Sequence, residues 1–213
     1  MIKIENTHID NIARAVYSAR NAMNSWDKSD SDIENDVLGE KDLALAKKLV
    51  KAGTDHSKFM RMINVTCDIT APLYWIAEHD TYKVGTTRNS CSFMHKGLSK
   101  PFDLEDFSFS IYDIDDCILN EDEKGSMERY IYGGIIESLN VLRELYINTK
   151  DEGIFALIRQ LLPSGYNQRY TWQANYQVLR NIYHSRRFHR LQEWRDFCSW
   201  IETLPYSELI TEV

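Results

Sequence analysis

Ile63, Val65, Cys67 and Ile69 alternate with Asn64, Thr66 and Asp68. A two-residue period puts one face of a strand in a core and leaves the other face polar. The flanking segments carry a different period. Residues 8–23 place Ile9, Ile12, Ala13, Val16, Ala19 and Met23 on one helical face. Glu40 to Lys51 does the same with Leu43, Ala46, Leu49 and Val50, and Gly53 is placed to end that helix. Ala71-Pro72 opens a helix carrying Leu73, Tyr74, Trp75 and Ile76, because proline is well tolerated in a first turn.

Asp27 to Asp36 is acidic and serine-rich and reads as a surface loop. Thr81 to His95, rich in Thr, Ser, Asn and Gly, reads as a loop or a short extended piece. Helices are expected from Met127 to Thr149 and from Glu152 to Leu162, the latter stopping before Pro163. Arg169 to Trp172 reads as extended, followed by helices over Asn175–Ser185 and His189–Thr203.

At 213 residues the chain suits one domain, with residues 99–126 as an insertion or connecting region. Apolar residues make up 43% and charged residues 27%, which places the chain among globular rather than disordered proteins. No apolar run reaches the roughly 20 residues of a membrane helix, and Met1 to Asn6 lacks a signal-peptide core. The expectation is therefore a cytoplasmic protein with no membrane partner. Cys67, Cys91, Cys117 and Cys198 are scattered, with no CxxC pair to suggest a zinc ribbon or a redox motif. Nothing in the pattern calls for a metal.

The net charge is −7, which argues against general nucleic-acid binding. The sign is uneven, however. Seven arginines, Arg159, Arg169, Arg180, Arg186, Arg187, Arg190 and Arg195, fall in a window holding one acid, Glu193, and no lysine. Guanidinium forks match phosphate oxygens, so the window suits a small anion; pairing with acids elsewhere in the chain is the other reading.

The stretch ending at Arg195, LLPSGYNQRYTWQANYQVLRNIYHSRRFHRLQEWR, resembles the C-terminal half of the flavin-dependent thymidylate synthases. Leu162-Pro163, Arg169, Trp172, Asn175, Asn181 and Arg186 keep that family's spacing, and Gln192 sits where the family has a Gln. IARAVYSAR resembles the family's first helix, and EKDLALAKKLVKAGTDHSKFMRMINVTCDITAPLYWIAEHD its helix, flavin-contacting turn, strand and Ala-Pro helix start. The chain departs at the Arg-His-Arg motif. Anchored on Asn89 and Ser92, it reads Tyr82-Lys83-Val84, then Thr87, Asn89, Ser90, Ser92 and Met94. In the family that motif touches the flavin, the nucleotide and the folate.

The resemblance implies an α/β (α+β) fold, with a central, mostly antiparallel sheet flanked by helices, assembled as a homotetramer. It implies reductive methylation of dUMP to dTMP with FAD, NADPH and methylenetetrahydrofolate. The nucleotide contacts it implies are Arg169, Arg186, His79, Asn89 and Ser92, of which Arg186 and Ser92 are the catalytic candidates. The flavin contacts are Ser57, Asn175 and Asn181, with Gln177 where the family has Arg, and Lys83 and Arg88 as local cations that partly replace the lost arginines. Asn175 equally reads as a helix N-cap, Asn181 as a buried amide, and either arginine as an ion-pair partner. Two other functions share these residues. One is C5 modification, such as hydroxymethylation, of another pyrimidine deoxynucleotide; the other is non-catalytic nucleotide binding.

Overall fold

The computed structural model describes residues 2–93, 97–111 and 114–212. In chain order its elements are β1 (Lys3–Asp10), α1 (Ile12–Ala19), α2 (Glu40–Lys51), β2 (Asn64–Pro72), α3 (Leu73–His79) and β3 (Thr87–Ser90). There follow α4 (Glu121–Tyr130), a π-helical turn (Ile131–Ile136), α5 (Glu137–Thr149), α6 (Glu152–Leu161), β4 (Asn167–Asn175), α7 (Tyr176–Arg186), α8 (Gln192–Glu202) and α9 (Glu208–Thr211). The chain gathers into two compact units: Met1–Thr70 with Glu78–Asn89 and Tyr170–Val213, and Ala71–Ala77 with Ser90–Arg169. The fold is α+β, with one four-stranded sheet in the order β1-β2-β4-β3.

The first unit is built on that sheet. Val65, Cys67 and Ile69 of β2 are buried, as their alternation requires. β1 pairs antiparallel with β2, bringing Ile4 opposite Ile69 and Ile9 opposite Val65. The register shifts between Glu5 and His8, where Asn6 takes a positive φ of 52°, the signature of a bulge that re-aims an edge strand. The strand β1 was not expected; its last three residues, His8 to Asp10, fall in the stretch that reads as the start of the first helix, which begins only at Ile12. Helix α1 buries Ile12, Ala13, Ala15 and Val16. Helix α7 packs on α8 and α9, burying Leu179 and Ile182 with Trp194, Phe197 and Ile201.

A buried ion pair ties the acidic loop of this unit to α2. Asp42 is fully buried and accepts hydrogen bonds from Arg20 Nε (2.6 Å), Ser29 Oγ (2.5 Å) and Ser31 Oγ (2.6 Å). Burial by itself would raise the Asp42 carboxyl. The bonds from Ser29, Ser31 and Arg20 outweigh it and hold the group below the ordinary carboxylate range. Asp30 accepts from the backbone N–H groups of Lys41 and Asp42, so a loop carboxylate meets the positive end of α2.

The second unit has its own apolar centre, formed by Phe93, Phe102, Phe107, Ile136, Leu139 and Ile158, with Tyr166 packed against it. The single long helix expected over 127–149 is instead α4, a π turn and α5. The turn contains Gly133-Gly134, where helix propensity is lowest, and this is where the i→i−4 ladder gives way. Asn120 starts α4 with a reciprocal capping box to Glu123. Asp151 caps α6 by accepting from Gly153 and Ile154.

Candidate functional site

The start of β4 and the segment after β3 enclose a cavity of about 200 Å³ in the second unit. Cys91, Ser92 and Phe93 line one side, and Tyr166, Asn167, Gln168 and Arg169 another. Two backbone-anchored bonds fix this wall. The Cys91 N–H donates to the Arg169 carbonyl at 3.0 Å, and Gln168 Nε2 donates to the Cys91 carbonyl at 2.9 Å. The Asn167 amide oxygen accepts from Ser108 Oγ at 2.8 Å, which orients it from behind. Ser92 and Arg169, both expected as nucleotide contacts, thus share one cavity and are exposed. The guanidinium of Arg159, which does not itself line the cavity, lies 5.0 Å from the ring centroid of Phe93. Sequence reading counted Arg159 in the basic window but gave it no role, because only the fold brings α6 beside Phe93. Met94, where the family has the last Arg of its motif, lies outside the described residues.

The other expected contacts lie in the first unit. Arg186, near the end of α7, is held from several directions. Its Nε donates to the Tyr82 hydroxyl at 2.9 Å and its Nη1 to Glu78 Oε2 at 3.2 Å. Its guanidinium carbon lies 4.7 Å from the Trp194 ring centroid. The ion-pair reading of this arginine is therefore correct as far as it goes, and its partner is Glu78.

Ser57, Gln177 and Asn181 form a hydrogen-bonded row. Ser57 Oγ donates to Gln177 Oε1 at 3.4 Å, and Gln177 Nε2 donates to Asn181 Oδ1 at 3.1 Å. Ser57 and Gln177 are buried, whereas Asn181 is exposed, which corrects the reading of it as a buried amide. Gln177 and Asn181 meet because residues four apart share a helix face. Asn175 is the N-cap of α7 and accepts from the Val178 N–H at 3.1 Å. Gly85, with φ +78°, brings the preceding loop against it: a Cβ there would sit 3.0 Å from Asn175 Nδ2. Lys83 and Asn89 are exposed. Arg88 pairs with both carboxylate oxygens of Asp80 at 2.8 Å and lies 4.9 Å from the Tyr170 ring centroid, so its charge is already partnered.

His79 departs from expectation. It was placed to face a pyrimidine, but it is 1% exposed and enclosed by Tyr170, Trp172, Trp194 and Phe197. Its Nδ1 lies 3.2 Å from the Tyr170 hydroxyl. Burial, with the Arg88 charge assisting, pushes its pKa down to about 3, so the ring is neutral at pH 7. Its role is in the aromatic core, because α3 turns its last residue inward beneath α8.

Cys67 and Cys198 are buried, and burial pushes both thiols up to about 12, far from a reactive thiolate. Among the described residues no three His, Cys, Asp or Glu side chains are grouped to hold a metal ion. No helix among them is long and apolar enough to cross a membrane.

No protein-family model and no curated protein sequence matches the chain. Solved structures do. Thymidylate synthase X (ThyX) from Helicobacter pylori, solved with FAD and dUMP, superposes with a TM-score of 0.70 at 17% identity, over 99% of this chain and 97% of that one. A second Helicobacter pylori ThyX structure, also with FAD and dUMP, gives 0.67 at 16% identity, over 98% and 97%. The UMP/dUMP methylase PolB from Streptomyces cacaoi, bound to 5-Br dUMP, gives 0.63 at 17% identity, over 99% and 95%. Along nearly its whole length, the chain has the fold of the flavin-dependent thymidylate synthases.

Proposed function

We propose that this chain is a flavin-dependent enzyme that binds a pyrimidine deoxynucleoside monophosphate and, as its principal reaction, methylates dUMP to dTMP with methylenetetrahydrofolate and NADPH as co-substrates. The observation that carries the reading is the shared cavity of Ser92 and Arg169. A nucleotide phosphate is doubly charged and strongly hydrated, so it needs a fixed cation and hydroxyl or N–H donors to replace water. Arg169 supplies the fork and Ser92 the hydroxyl. A shared fold with proteins solved with FAD and dUMP supports the same assignment.

The donors present fit a flavin. The row of Ser57, Gln177 and Asn181 is neutral, and it ends in an exposed amide suited to the carbonyls and ring nitrogens of an isoalloxazine. Asn181 and Asn175 would hold the ring, and the exposed Lys83 would face a phosphate. Ser57 and Gln177, spent on each other, would set the position of Asn181. When bound, a reduced flavin supplies hydride, which leaves the protein no need for a nucleophile of its own. The chain's residues then bind, orient and polarise. Arg169 and Ser92 hold phosphate, and Arg186 is the cation proposed to stabilise charge on the pyrimidine. The assembly proposed is a homotetramer.

A second reading is favoured by Tyr82, which stands where the family has an arginine and whose hydroxyl is engaged by Arg186. An altered motif of this kind suits C5 modification, such as hydroxymethylation, of another pyrimidine deoxynucleotide. The deciding experiment combines expression in a thymidine auxotroph with mass spectrometry of products from dUMP and dCMP. Rescue of growth and dTMP formation support the first reading; a hydroxymethylated product supports the second. Nucleotide binding with no product from either leaves only the non-catalytic homologue. Arg169→Ala is expected to weaken dUMP binding about 10- to 100-fold, since a charge-assisted bond contributes about 1.5–3 kcal/mol. Unchanged affinity in that variant would remove the cavity from the assignment.

A further inference from the structure

Glu78 and Tyr82 lie on either side of the end of α3; the family resemblance gives Glu78 no role, and Tyr82 stands at the first position of the altered Arg-His-Arg motif. Together with Trp194 they build a socket around Arg186. Glu78 Oε2 accepts from Arg186 Nη1 at 3.2 Å and from Trp194 Nε1 at 2.9 Å, and His189 Nε2 lies 3.8 Å away. The Tyr82 hydroxyl accepts from Arg186 Nε at 2.9 Å. The indole of Trp194 covers the guanidinium at 4.7 Å, and the Tyr82 ring stands edge-on to that indole at 5.9 Å. Trp194 is fully buried, so the platform is rigid.

The pattern of donors used is informative. Nε and Nη1 are engaged, whereas among the described residues Nη2 has no hydrogen-bond partner. The Arg186 side chain is 22% exposed, so it is neither sealed in the core nor free in solvent. Arg186 is thus gripped along one edge of its fork, with the other edge left over. Fixing a long side chain before a ligand arrives removes the ordering cost from the binding step.

We propose that Glu78, Tyr82 and Trp194 are positioning residues that pre-set the Arg186 guanidinium so that Nη2 is presented to an oxygen of the pyrimidine nucleotide. The proposal rests on the nucleotide reading above and deepens it. Tyr82 does this in place of the cation the family carries at its position, so the chain trades one charge for a tighter hold on another.

The test is calorimetric titration of the purified full-length protein with dUMP, paired with thermal melts, for wild type, Tyr82→Phe, Arg186→Lys and Arg169→Ala. Tyr82→Phe keeps the ring against Trp194 and removes only the acceptor for Nε. It is expected to raise the dUMP Kd five- to tenfold with Tm within about 2 °C of wild type. Arg186→Lys, which keeps the charge on Glu78 but loses the fork, is expected to raise it at least as much. If wild type binds dUMP, Arg169→Ala weakens it and Tyr82→Phe matches wild type, the positioning role is overturned while the nucleotide reading stands. A Tyr82→Phe variant whose affinity falls only in step with a large loss of Tm also overturns it, in favour of a structural ion pair. If wild type itself does not bind dUMP, both readings fall together.

Discussion

His79 and Arg186 show how the same residue types take different roles according to what encloses them. His79 is neutral because its ring is walled in by aromatic groups, and a charged imidazolium there would lose its hydration without a compensating partner. A histidine whose folded pKa is lowered binds a proton in the unfolded chain but not in the folded one between the two values. Stability therefore falls as pH drops from about 6.5 toward about 3, by up to about 1.4 kcal/mol per pH unit from this group. Urea denaturation of wild type and His79→Gln at pH 7 and pH 4.5 checks this: the variant is expected to lose less stability on acidification than wild type. Equal losses would mean that the ring is not buried as described. Asp42 makes the opposite case, a buried charge that is retained because it is paired. Asp42→Asn leaves the Arg20 charge uncompensated in a closed site, and is expected to cost about 3–5 kcal/mol, read from the same denaturation curves. The lowered Asp42 carboxyl also stabilises the fold above its unfolded pKa, a contribution lost as pH falls through the folded value.

Among the elements, α7 concentrates the candidate cofactor residues. Its N-cap Asn175 has two possible duties, and one pair of substitutions separates them. Asn175→Ala removes the acceptor for the Val178 N–H and is expected to cost about 1 kcal/mol. Asn175→Asp keeps an acceptor at the cap, so stability holds, yet it loses the amide N–H donors. If Asn175 contacts a flavin, FAD affinity falls in the Asp variant without a matching fall in Tm. The start of α7 was legible because an Asn preceding a helical run is a physical signal. Strand β1 was not, because its burial is half-exposed throughout and a bulge interrupts its alternation. Strand β3 falls in the stretch that reads as a loop or a short extended piece, and four residues are too few for a period to fix its bounds. The break between α4 and α5 falls at adjacent glycines, a visible signal that the long helical reading passed over.

At the scale of the whole molecule, a TM-score of 0.70 at 17% identity shows the fold, and the proposed flavin is what remains to be tested on it. Binding to the folded state alone stabilises by mass action, so FAD at about 100 times its Kd is expected to add about 2.7 kcal/mol. In a chain of this size that is a Tm rise of roughly 5–10 °C, measured by differential scanning fluorimetry. No rise with FAD, together with no flavin absorbance in the purified protein, would remove the flavin from the function. Light scattering at the mass of four chains would support the tetramer.

What the linear order of residues determined was the set of elements with strong periods and the spacing from Pro163 to Arg186, because local periodicity and motif spacing survive without knowledge of distant contacts. It also carried the pairing of Asn175 with a helix start. Tertiary structure alone decided which charges are already spent. Arg186 on Glu78, 108 positions away, and the enclosure of His79 by Trp172, Trp194 and Phe197 join residues that a sequence window does not bring together. A side chain's availability depends on its neighbours in space, and for a folded chain those neighbours are set by packing rather than by position along the backbone.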